Sequence, residues 1–165
     1  MADDALLKLA AEVGAALKQR GWMLALAESC TGGGVAEAVT AVPGSSGWFD
    51  RGFITYSNDA KIDMLGVSPK TLQEDGAVSE TTVREMARGA MAHSHARIAA
   101  AISGIAGPDG GTPAKPAGTV CFAWAAEKHL ESETVYFKGN REKVRLQAVE
   151  YALRGVLRLT LDADL

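Results

Sequence analysis

Cysteine is scarce in this chain: Cys30 and Cys121 are the two present in 165 residues. They allow one disulfide at most, which excludes a disulfide-stapled scaffold. No stretch resembles a secretory signal and none is expected, since the sequence opens on the acidic Met1-Ala2-Asp3-Asp4. Together these features predict a reduced, cytoplasmic protein. No apolar run approaches the roughly 20 residues that cross a bilayer, so no membrane partner is expected. Positive charge is not in excess: 17 Lys and Arg face 20 Asp and Glu, for a net charge of -3. That balance gives no overall attraction to nucleic acid, and none is expected as a partner. Aromatic residues make up only 6% of the chain, too few for a broad stacking surface. The three histidines and two cysteines form no pair at ligand spacing, so neither a metal nor a cofactor is expected.

What is present describes one soluble domain over residues 1–165. The apolar fraction is 47% and the mean hydropathy +0.02, enough for a sizeable core. No repeat, low-complexity tract or linker interrupts it. Leu6, Leu9, Ala10, Val13, Ala16 and Leu17 share one face of a helix over 5–20, which Gly21 ends. A buried strand is predicted at about 22–26, then a glycine-rich joint and a short helix to about Thr40. Residues 48–56 read as a second strand with Gly52 as a candidate bulge. Helices follow from Ser57 to Gly66, from Ser68 to Gly76 and from Ser79 to His93. The wholly apolar 98–102 reads as a central strand. Residues 103–116 form a long Gly- and Pro-rich loop of the kind that often carries function. Strands at 119–126 and 133–138 and a helix from Arg141 to about Leu161 complete the chain. On that helix Arg141, Arg145, Arg154 and Arg158 are read as a solvated basic side. The order predicts an α/β fold, a three-layer α/β/α sandwich around a mixed, mostly parallel sheet. In such sheets the crevice lies off the strand C-termini, where Ser29, Tyr56 and Ser103 all fall.

The stretch Ala27-Glu28-Ser29-Cys30-Thr31-Gly32-Gly33-Gly34 joins a strand to a helix. The free N–H groups of a helix start, with glycines allowing close approach, suit a phosphate, a carboxylate or a developing oxyanion. Ser29 and Cys30 are both candidate nucleophiles, and neighbours at a strand end point to opposite sides, so the pattern admits one of them. Thr31 and the backbone N–H groups of Cys30 to Gly33 are candidates for the oxyanion hole or for capping the helix. His93, His95 and His129 sit at a helix end, a strand entry and a strand-pair link, poor places for a base. Glu28 is read as orienting a lysine or capping backbone N–H groups.

Four motifs in order resemble the CinA carboxy-terminal domain family: Ala27 to Gly33, Thr55-Tyr56-Ser57-Asn58 with Lys61, Gly76-Ala77-Val78-Ser79, and Ser103-Gly104-Ile105-Ala106-Gly107-Pro108-Asp109-Gly110-Gly111. The family's stand-alone members are similar to nicotinamide mononucleotide (NMN) deamidases, serine/lysine amidohydrolases of the pyridine nucleotide cycle. The resemblance implies a five-stranded mixed sheet, Ser29 as nucleophile, Lys61 as base and NMN as the small-molecule partner. Lysine near pKa 10.4 must fall to roughly 7 or 8 for that role, a demand that burial can meet. Tyr56 is then expected to hydrogen-bond Ser29 or Lys61, or to stack on the pyridine ring. Ser103, Gly104, Gly107, Asp109 and Gly110 are placed on ribose or phosphate, Asp109 alternatively on Lys61, and Lys115 and Arg141 on phosphate. Asn140 stands where the family often has Asp. A non-catalytic nucleotide-binding module, or hydrolysis of another small amide, are the rival readings. The alanine-rich helices permit a homo-oligomer.

Overall fold

Alternation of large and small side chains along the strands sets the architecture. The computed structural model describes residues 3–165. Six helices, α1 (Asp4–Arg20), α2 (Gly34–Thr40), α3 (Asn58–Leu65), α4 (Pro69–Asp75), α5 (Glu80–Ala92) and α6 (Arg141–Thr160), enclose a sheet of five strands. These are β1 (Leu24–Glu28), β2 (Phe49–Ile54), β3 (Ile98–Gly104), β4 (Thr119–Ala126) and β5 (His129–Tyr136), in the order β2-β1-β3-β4-β5. β2, β1 and β3 run parallel, and β4 pairs antiparallel with both β3 and β5. One strand therefore runs against the other four. The buried, largely apolar strands are central, and the half-polar β2 and β5 form the edges.

One face of the sheet presents Leu24, Leu26, Ile98, Ile102, Phe122 and Trp124 to α1, α2 and α6. The other presents Ala25, Ala27, Ala99, Ala101, Ala123 and Ala125 to α5 and the end of α3. A face of methyl groups lets α5 lie close, and burial of the larger opposite set contributes roughly 1.5–3 kcal/mol per side chain. Backbone crowds Gly89, where an added Cβ would stand 2.1 Å from the Leu65 carbonyl oxygen. That contact holds α3 against α5.

Several expectations shift by a few residues. β1 begins two residues later than the apolar run suggests, because Trp22 and Met23 lead into it. The bulge in β2 is at Asp50, not Gly52: Phe49 faces Leu24 and Arg51 faces Ala25, leaving Asp50 the extra residue. β5 begins at His129, four residues before the expected start. Its hairpin with β4 needs only Glu127 and Lys128, with Glu127 at φ 53. His129 is thus a strand residue rather than part of a link.

Candidate active site

The site forms where the chain leaves β1 toward both faces of the sheet. After β1 the chain crosses to α2 on the large-residue face and then to edge strand β2. From β2 it passes through α3, α4 and α5 on the alanine face to reach β3 on the other side of β1. The C-terminal ends of β1 and β3 therefore open between helices that diverge, the usual crevice of such sheets. A cleft of about 290 Å³ occupies it, lined by Ser29, Lys61, Tyr56, Ser103, Asp109 and Arg141 among others.

Ser29 continues β1, its N–H donating to the Ile102 carbonyl at 3.0 Å. Its hydroxyl points to the alanine face and lies 3.0 Å from Lys61 Nζ. Lys61 gets there through α3. The Ser57 hydroxyl caps that helix by accepting from the Ala60 N–H at 3.0 Å, and Gly66 ends it in the left-handed conformation. Lys61 shares the inward face with Leu65, four residues on. Only 1% of its surface is exposed, and burial pushes its pKa below the usual lysine value. Its second partner is the Thr55 carbonyl, to which Nζ donates at 2.6 Å. No carboxylate pairs with it among the described residues, and burial outweighs the opposing influence of Cys30.

Cys30, one position on, turns to the opposite face and joins the large-residue core. Burial pushes its thiol up to about 12. It therefore stays protonated, although it also borders the cleft. Neighbouring residues divide between two faces as the strand geometry requires.

Of the two roles expected of Thr31, Gly32 and Gly33, their contacts match that of the helix start. None of the three lines the cleft. The Thr31 hydroxyl donates to Glu28 Oε1 at 2.6 Å, and the Gly32 N–H donates to the Ser29 carbonyl at 3.0 Å. Gly33, at φ 101, is the N-cap residue of α2. Glu28 itself is fully buried and accepts from the N–H groups of Val35 at 2.9 Å and Ala36 at 3.0 Å. Its carboxylate takes up the donors of the helix start and makes no hydrogen bond to Lys61. The N–H groups of Cys30, Thr31, Gly33, Ala106 and Gly107 meet no backbone carbonyl among the described residues, and of these Cys30, Ala106 and Gly107 border the cleft.

Ser103, Gly104, Gly107 and Gly110 all border the cleft, with Ile105 and Ala106 of the same loop and with Ala77 and Val78. Asp109 is exposed at the rim and does not reach Lys61. Tyr56 is also at the rim, 63% exposed. It bonds neither Ser29 nor Lys61, and its hydroxyl instead accepts from Arg141 Nη2 at 3.3 Å. Its ring is free to stack. Arg141 also donates to the Gly107 carbonyl at 2.9 Å, bridging the mouth. Lys115 lies outside the cleft and donates to the Asp75 carbonyl. Asn140 caps α6 by accepting from the Lys143 N–H at 3.0 Å, a role Asp would fill equally.

The solvated basic side expected on α6 is only partly so. Arg154 pairs with Glu150 and Arg158 with Glu131 at the surface. Arg145, by contrast, donates to the carbonyls of Cys30 at 3.2 Å and Thr31 at 3.3 Å, holding the nucleophile loop from outside. No group of three or more His, Cys, Asp or Glu side chains converges on a common point among the described residues. No helix is long and apolar enough to cross a membrane among them.

The chain is 52% identical to a nicotinamide-nucleotide amidohydrolase PncC of Enterobacter agglomerans, over 96% of this chain and 97% of that protein. It is 53% identical to the protein of the same name from Escherichia coli (strain K12), over 93% and 94%. The crystal structure of competence/damage inducible protein CihA from Agrobacterium tumefaciens superposes with a TM-score of 0.93 at 42% identity. That match covers 96% of this chain and 98% of the other. The model of the CinA C-terminal domain matches residues 6–160, and the chain belongs to the CinA C-terminal domain family.

Proposed function

We propose that the protein is a nicotinamide-nucleotide amidohydrolase that converts NMN and water to nicotinic acid mononucleotide and ammonia. The observation that carries this is the buried Ser29–Lys61 pair, 3.0 Å apart on the floor of a cleft whose mouth holds a tyrosine and an arginine. The names of relatives identical at half of their positions support the substrate class.

Ser29 Oγ attacks the carboxamide carbon while the neutral Lys61 amine takes its proton. The oxyanion is met by N–H groups that have no partner at rest, with Cys30 the first candidate. Lys61, now an ammonium steadied by the Thr55 carbonyl, gives its proton to the departing nitrogen. Ammonia leaves and the nicotinoyl group remains on Ser29. Water then attacks, Lys61 takes its proton and returns it to Ser29 Oγ, and the acid is released. The phosphate is met by Arg141 at the rim, and the Tyr56 ring covers the pyridine.

The test is incubation of purified protein with NMN, following ammonia and nicotinic acid mononucleotide together. Equal amounts of both are expected. Tight NMN binding without either product would overturn the enzyme reading in favour of a binding module.

A further inference from the structure

We propose that this site also transfers the nicotinoyl group to small primary amines, so that hydroxylamine yields the hydroxamate and ammonia regenerates the amide. The proposal rests on the acyl-serine reading above and concerns what happens to that intermediate.

It is carried by the inventory of bases around Ser29. Lys61 is the one titratable side chain within hydrogen-bond distance of Ser29 Oγ among the described residues. The Glu28 carboxylate is taken up by Thr31, Val35 and Ala36. Asp109 is exposed at the rim, and the Cys30 thiol stays protonated in the core. His93 and His95 flank the start of β3, and His129 pairs with Ala126 opposite Ile98. All three histidines thus lie at the far end of the sheet from Ser29.

Water consequently has no dedicated base. The group that activates it is the amine that has just protonated the leaving nitrogen, aimed at the place ammonia vacates. A site that releases ammonia along a path also admits ammonia along it, because the forward and reverse steps share one transition state, and hydroxylamine differs from ammonia by a single hydroxyl. Small primary amines are better nucleophiles than water, and the nearby wall of Ala77, Gly104, Ala106 and Gly107 leaves room for a small one. The step balances without an oxidant. The amine nitrogen bonds the acyl carbon, one of its protons passes to Lys61 Nζ, the carbon–Oγ bond breaks, and that proton returns to Ser29.

Wild-type protein is incubated with NMN in rising hydroxylamine at neutral pH, where hydroxylamine is uncharged, and acid, hydroxamate and ammonia are quantified. A parallel reaction in nitrogen-15 ammonium reads the mass of recovered NMN. Expected are a fall in acid matched one for one by hydroxamate, undiminished ammonia release, and heavy nitrogen in NMN, all absent from Ser29→Ala. Acid and ammonia formed as before with neither hydroxamate nor label would overturn the proposal and leave the hydrolase reading standing. No ammonia in the amine-free control would overturn both.

Discussion

At Ser29, Cys30 and Lys61 the chemistry is decided by which side of the sheet each side chain meets. Ser29 faces the lysine, whereas Cys30 is embedded in the core with its thiol pushed up to about 12. Ser29→Ala should therefore lower kcat by about 10³-fold or more in the ammonia assay, with little change in Tm. Cys30→Ala should cost stability through a small cavity and leave kcat within a few fold. Survival of activity in Ser29→Ala alone would reverse the assignment. Burial lowers the pKa of Lys61 from 10.5, so kcat/KM should rise with pH through that depressed value. Lys61→Met should abolish that limb and lower kcat by about 10²–10⁴-fold. Stability follows the same proton. Unfolding returns Lys61 to its ordinary pKa, so the unfolded state binds more protons, and the folded state is penalised fully below the depressed pKa. The penalty fades as pH rises toward 10.5. Lys61→Met should thus be more stable than wild type near neutrality, with the gap closing at alkaline pH. Denaturant titrations at several pH values measure it.

At the level of elements, the joint between β1 and α2 is built around Glu28. Its oxygens satisfy two N–H groups of the helix start and the Thr31 hydroxyl. Glu28→Ala would bury those donors unpaired, at about 1–3 kcal/mol each. A total loss of about 3 kcal/mol, or roughly 10 °C in Tm, is expected by thermal denaturation. Glu28→Gln, which keeps an acceptor oxygen, should lose about half as much. Sequence showed the helix starts at Ser57 and Ser79 clearly, since each marks a helix start by residue type and the following apolar spacing, whereas the cap at Asn140 is visible only in the structure. It did not separate two uses of the Ser29 joint. A glycine-rich helix start reads as an anion cradle whether its donors are free or already occupied by a carboxylate six residues before the helix. The start of β5 was equally hidden, because Glu131 and Glu133 alternate along an edge strand whose polar face resembles a loop.

Across the whole molecule, the start of the last helix returns to the cleft and to the loop that follows the first strand. The α/β/α layering was legible because β1, β3 and β4 are continuous apolar runs while the helices carry apolar stripes. The convergence of Ser29, Tyr56 and Ser103 followed from their places at strand ends. What could not be read is the return of α6 to the first loop, since a basic helix face looks the same whether it meets solvent or carbonyl oxygens more than a hundred residues away. Arg145 makes two such contacts, to Cys30 and Thr31. Arg141, one turn earlier, bridges Gly107 and Tyr56. α6 therefore acts as a clamp on the loop that aims Ser29 and on the rim above it. Because α6 also buries Val144, Ala148, Val149, Leu153 and Val156, losing one guanidinium leaves the helix docked. Arg145→Ala should accordingly shift Tm by only a few degrees. It should lower kcat by about tenfold, since a small misplacement of a nucleophile is costly. KM should hold steady, because Arg141 and the rim remain. Arg145→Lys, unable to span both carbonyls with one ammonium, should recover only part of the rate. A matched fall in kcat and Tm, unrelieved in Arg145→Lys, would show that the arginine only stabilises the fold.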